Sequence, residues 1–142
     1  MTATREEMIE TMGSLFKLYS HATGINIVLL GMKNGGNPKD TRKYLTQGLE
    51  LSEILQNPDE LDADNTLKKG VEHFLTSEYN PAEIRSQSAE ISNYISEVIT
   101  AFDAGEHLPK DGYDTTREYF RKVHHAAFKL HTSLDKKLAG VE

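Results

Sequence analysis

The sequence predicts an all-α protein, a mostly antiparallel bundle of four or five helices, and three observations carry that expectation. Apolar residues recur at three- and four-residue steps through most of the chain, the spacing of a one-sided helix. The four prolines fall between those periodic segments and never inside one, and three of them follow an asparagine: Asn37-Pro38, Asn57-Pro58 and Asn80-Pro81. Asn suits the position before a helix because its side chain can accept from a first-turn amide, and Pro suits the first helical position because no donor is needed there. No segment alternates apolar and polar residues for long enough to be read as a strand.

The first helix is expected over residues 4–33. Thr4 and Glu7 have the spacing of a capping box, and Asn34-Gly35-Gly36 supplies residues suited to a left-handed exit. Met8, Met12, Leu15, Tyr19, Ala22 and Asn26 make its stripe, with Gly24 as a place where the rod can break. The second helix, 38–56, gathers Tyr44, Gly48, Leu51 and Leu55. The third, 58–79, starts at Pro58 or again at Asp64 and collects Leu67, Val71, Phe74 and Leu75. The fourth, 81–104, has the cleanest seam, Ile84, Ile91, Ile95, Val98 and Phe102, with Gly105 in place as a C-terminal cap. A turn-rich stretch from Gly105 to Gly112 leads to the fifth helix, 114–139, whose stripe runs Thr116, Phe120, Val123, Ala127, Leu130, Leu134 and Leu138.

At 142 residues the chain is read as a single domain, 1–142, long enough to bury a core without covalent staples. A hydrophobic content of 37% is low, yet its periodic placement argues for folding over disorder. The net charge of −6 opposes general nucleic-acid binding, which draws its affinity from cations on phosphates. The absence of cysteine excludes disulfides, thiolate catalysis and cysteine-ligated zinc. The first residues, Met-Thr-Ala-Thr-Arg-Glu-Glu, lack the pattern of a secretory leader, and the longest apolar run, Ile27 to Leu30, is far too short to span a membrane. A cytoplasmic protein with no membrane role is the expectation.

Candidate chemistry centres on the last helix. His21 and His73 are placed opposite their apolar stripes and His107 in a loop, so all three are expected to face water. Arg117, His124 and His131 are spaced by seven and share one flank of the final stripe, while His125 points away. Residues seven apart on a helix are separated by about 10 Å, too far to share a metal ion, and no metal site is expected. Met8 and Met12 early, with His124 and His131 late, resemble the axial ligands of soluble b-type cytochrome bundles. The resemblance implies a haem between Met8 or Met12 and His124 or His131, and requires the first and last helices to be antiparallel. Five strictly alternating helices would make them parallel. Arg117 and His124 are also similar in spacing to the Arg-x4–6-His element of HEPN ribonucleases. That resemblance implies a phosphate-stabilising Arg117 and an acid–base His124, although the residue after the arginine, usually Asn there, is Glu118 here.

The leading expectation is different. Ile25, Asn26, Ile27, Val28, Leu29 and Leu30 form a stretch apolar on nearly every side, which must be surrounded by its own bundle or by another subunit. Asn26, on the expected buried stripe, is of the kind that sets register or oligomeric state. The sequence is therefore read as a non-enzymatic protein–protein interaction or assembly module that self-associates through the apolar half of its first helix, its partner being itself or another protein, with no cofactor and no nucleic-acid partner. Tyr79, Tyr94, Tyr113 and Tyr119 are expected at joints and flanks, as boundary packing or interface.

Overall fold

The computed structural model describes residues 4–36, 39–62 and 64–140. Five helices are present, α1 (Arg5–Lys33), α2 (Thr41–Gln56), α3 (Lys68–Leu75), α4 (Pro81–Asp103) and α5 (Tyr113–Ala139), and no strand occurs among the described residues. The all-α bundle is therefore as expected. The third segment is shorter than expected: Pro58–Glu60 forms a single 3-10 turn, and the helix proper begins only at Lys68. Asn65 provides the local reason, because its side chain accepts from the Leu67 amide at 2.8 Å and holds a turn where a longer helix would otherwise run.

The proline joints behave only partly as expected. Asn37-Pro38 lies outside the described residues. Pro81 does occupy the first turn of α4, but Asn80 adopts a left-handed backbone (φ 57°) and turns its side-chain amide to the Glu83 carboxylate at 2.7 Å. Thr4 caps α1 in the expected way, accepting from the Glu7 amide at 3.1 Å. The helix then continues unbroken through Gly24, whose missing side chain lets the Tyr44 ring of α2 approach closely.

Four of the helices close a ring: α1 lies on α5, α5 on α4, α4 on α2 and α2 on α1. Hydrogen bonds give their directions. Arg42 reaches Asp103 while Ser52 meets Ser92, so α2 and α4 are antiparallel. Asn26 reaches Arg117 while Thr23 meets His124, so α1 and α5 are antiparallel too. Short α3 lies beside the first half of α1, with Lys17 at Thr66 and Ser14 at Gly70, and so runs in the same sense as α2. Strict alternation is broken there. That is why the first and last helices of a five-helix chain oppose each other.

The inward line of α1 is Met8, Leu15, Leu18, Ala22, Ile25 and Leu29, joined by Val28. This corrects the expected stripe: Met12, Tyr19 and Asn26 sit at its edge toward α5, turned out of the centre. Three of the four tyrosines expected at joints and flanks, Tyr94, Tyr113 and Tyr119, are instead buried in the core. Burial pushes the Tyr119 phenol well above its ordinary range, and its hydroxyl meets Ser88 Oγ at 2.7 Å. His21 and His73 are half-buried where exposure was expected, and burial lowers the pKa of both rings.

Candidate functional site: the outer face of the first helix

The six residues Ile25 to Leu30 do not behave as one patch. Ile25, Val28 and Leu29 are fully buried in the core of their own chain, so helix packing satisfies half of the stretch. Asn26 is half-buried and donates from Nδ2 to the Arg117 carbonyl at 3.1 Å, fastening α1 to α5. A polar residue at this boundary sets the register between two helices of one chain. Ile27 and Leu30 point the other way and remain in solvent.

Those two belong to a longer feature. Among the described residues the large apolar side chains that are exposed are Ile9 (51%), Phe16 (53%), Ile27 (56%), Leu30 (41%) and Phe128 (47%). Four of the five lie on α1. With Gly13, Ser20 and Thr23 they form the series 9, 13, 16, 20, 23, 27, 30, whose steps alternate between four and three residues. This is the spacing of the a/d seam of a coiled coil. Ile9, Gly13, Phe16, Ile27 and Leu30 on it are exposed, whereas Ser20 and Thr23 at its middle are half-buried and Thr23 is hydrogen-bonded to His124 of α5. Sequence reasoning misses Ile9, Phe16 and Phe128. The signal for the first two is present as a second line of three- and four-residue steps beside the core line of the same helix.

The fifth exposed side chain adjoins this face. Phe128 packs edge-on to Tyr19 with ring centroids 5.7 Å apart, and Tyr19 also meets Phe16 at 5.2 Å. His124 stacks on Phe128, with centroids 6.2 Å apart and planes inclined by 3°. Its Nδ1 lies 2.6 Å from the Thr23 hydroxyl and 3.3 Å from the Tyr19 carbonyl oxygen. His131 also lies edge-on to Tyr19, with ring centroids 5.9 Å apart. Both histidines thus pack on Tyr19 and tie α5 to the flank of α1. A shallow cleft of about 740 Å³ crosses this face, bordered by Tyr19, Thr23 and His124 on the α5 side and by Tyr44 and Lys39 on the other.

Arg117 and His124 both border a small cleft of about 190 Å³ with Ile27, Leu30 and Arg121. Their functional ends diverge within it. The Arg117 guanidinium lies 5.8 Å from the Tyr113 ring centroid, whereas the His124 ring is held toward Thr23 and Tyr19. Arg121 is engaged by Glu118 through two hydrogen bonds of 2.7 and 2.9 Å, and that pairing holds the Glu118 carboxyl below its usual range. In the haem arrangement the antiparallel requirement is met. Met8, however, is packed in the apolar core and Met12 against it, while His124 and His131 point to the Tyr19 cluster. Among the described residues no group of three or more His, Asp or Glu side chains is placed to hold a metal ion.

No protein-family model matches the chain, and neither a curated protein nor a solved structure matches it. No helix among the described residues is long and apolar enough to cross a membrane.

Proposed function

We propose that this chain is a non-enzymatic interaction or assembly module that docks other polypeptide through the outer face of α1. One observation carries the reading: among the described residues, four of the five large apolar side chains exposed to solvent fall on a single line along one helix. Scattered exposed hydrophobics are ordinary on any protein, whereas several aligned along one helix at heptad-related spacing mark a surface suited to being covered. The row has the period that a partner helix can interlock with, and aromatic side chains stand on both of its flanks: Tyr19 and Phe128 on one, Tyr44 on the other. The neighbouring His124 side chain and Arg117 carbonyl serve this surface by tying α5 to α1 beneath it.

A photo-crosslinking residue placed at Phe16, at Ile27 and, as a control, at the exposed Glu90 of α4 tests the proposal in cells expressing the chain. Protein adducts are expected at the first two positions and not at the third. Equal labelling at all three positions, or none at any, would refute docking through α1, and the adduct mass tells self from other partners.

A further inference from the structure

The occupant of this face is a second copy of the same chain, we infer, laid antiparallel across the first about a two-fold axis at the level of His21 and Ala22. The inference rests on the docking proposal above and adds the partner and its register. In the seam, Gly13, Ser20 and Ile27 occupy one row and Phe16, Thr23 and Leu30 the other. Antiparallel coiled-coil packing sets each row opposite the partner's other row. Two alignments engage six layers each. One sets Gly13 on the partner's Thr23, Phe16 on the partner's Ser20 and Ile9 on the partner's Ile27, leaving Leu30 outside. The inferred alignment is the other, which seats the large Leu30 and Phe16 in the seam and pairs Gly13 with the partner's Leu30, Phe16 with the partner's Ile27, and Ser20 with the partner's Thr23. Each pair then occurs twice, as a closed two-fold interface demands.

The side chains suit that alignment and not the parallel one. At each end the bulky Leu30 meets the space left by Gly13, where a side-chain carbon would find nothing within 4 Å in its own chain. A parallel pair would instead put glycine on glycine and Phe16 on Phe16, leaving a hole beside an overfilled layer. In the centre, where Ser20 and Thr23 are small, Tyr19 and Phe128 rise on the α5 flank and Tyr44 on the α2 flank, so the two copies fill the middle from the sides. An antiparallel arrangement also places α5 flank against α5 flank, bringing the two exposed Phe128 rings to the same side.

Charge supports the same sense. The exposed acids of α1, Glu6, Glu7 and Glu10, outnumber the exposed Arg5 in its first third, with Glu10 also paired to Lys69. The exposed Lys33, over the Tyr113 ring, and the exposed Lys39 lie at or just beyond its other end. Antiparallel copies bring the acidic end of each level with the basic end of its partner, and the helix dipoles oppose favourably. A parallel pair stacks acid on acid. The area is near the minimum: the layers of this register run from Gly13 to Leu30, about 26 Å at the helical rise of about 1.5 Å per residue. With flanks of one helix diameter they offer about 500 Å² on each copy, or about 1,000 Å² in all, at the threshold of a specific interface.

The chain has no cysteine of its own, so engineered pairs report cleanly. Phe16→Cys and Ile27→Cys chains are prepared separately and mixed under mild oxidation, alongside light scattering of the parent. A disulfide needs its Cα atoms within about 7 Å. In the antiparallel register the thiol introduced at position 16 of one chain faces the thiol introduced at position 27 of the other, whereas two copies of either position are about 16 Å apart along the axis. Covalent dimer is expected in the mixture and in neither variant alone. Gly13→Cys mixed with Leu30→Cys is an independent second pair at the ends, should the loss of an aromatic anchor weaken the first. Self-crosslinking of the single variants would establish a parallel pair and overturn the register. A parent dimer that crosslinks through neither pair would overturn it too, while leaving self-association standing. A parent that is monomeric by light scattering overturns the second copy as occupant, and adducts to another protein at positions 16 and 27 would then leave only the docking proposal in place.

Discussion

Replacing Gly70 with alanine should destabilise the fold, while the same replacement at Gly13 should stabilise it. Gly70 opens α3 against α1, and a methyl there would lie 2.8 Å from Ser14 Oγ and 2.9 Å from both the Leu15 amide nitrogen and the Ser14 carbonyl carbon. Unstrained contacts to carbon are about 3.5–4.0 Å, and two of these three atoms are helix backbone, which cannot swing aside. The methyl also presses on the hydroxyl that accepts the Gly70 amide proton at 2.7 Å. Overpacking of this kind costs about 1–3 kcal/mol, and straining a buried hydrogen bond adds about 1 kcal/mol. Better helix propensity returns at most about 1 kcal/mol. The net is about 2 kcal/mol of destabilisation. At Gly13, exposed within α1 and with no neighbour within 4 Å, only the propensity operates, giving about 1 kcal/mol of stabilisation. The two variants should therefore differ by about 3 kcal/mol, a melting-temperature gap on the order of 10 °C for a chain of this size. Urea unfolding followed by circular dichroism measures it, in dilute solution so that association does not contribute. A Gly70→Ala protein as stable as Gly13→Ala would show that α3 does not seat on α1 as described.

Two further predictions concern groups inside the bundle. Ser88 Oγ donates to the Ile84 carbonyl at 2.9 Å, which leaves it to accept from the buried Tyr119 hydroxyl. Ser88→Ala strands that hydroxyl and should cost about 1–3 kcal/mol, while Tyr119→Phe leaves the serine satisfied and should cost less; equal losses in urea unfolding would contradict this arrangement. The second concerns pH. Burial holds the folded His21 and His73 rings below the ordinary value of 6.5, so the unfolded chain takes up protons first as the solution is acidified. The stability these neutral rings contribute is present above that ordinary value and lost as pH falls through it toward the lower folded values. Unfolding free energy should drop between about pH 7.5 and 5.5, and less so in a His21→Gln, His73→Gln double variant; an identical pH slope in the two proteins would remove the histidines as the cause.

The helices themselves are legible in the sequence because each is a local matter. In α4 and α5 one apolar line, from Ile84 to Val98 and from Thr116 to Leu134, faces the core, so periodicity alone locates both segment and inward side. In α1 it does not, since apolar residues surround the whole rod and two lines of equal period compete. Counting steps cannot say that Leu18 and Ile25 turn inward while Phe16 and Ile27 turn out. The excess apolar surface between Ile25 and Leu30 is visible in the residue order, and Ile27 and Leu30 do retain it. Its extension down the helix through Phe16 to Ile9 emerges only once the core line is known.

By itself the amino-acid order determined that this protein is helical, where most of its helices begin and end, and that it carries no cysteine chemistry and no apolar run long enough to cross a bilayer. Each of those follows from interactions between residues a few positions apart, or from composition. The tertiary structure decided the rest. The Asn65 turn sets short α3 in the same sense as α2, which makes α1 and α5 antiparallel. The Asn26 and Thr23 contacts to α5 then set the rotation of α1, and so which of its two apolar lines is left uncovered. The physical reason is that a helix seen alone has no inside: only neighbours on one side distinguish its core face from a docking face.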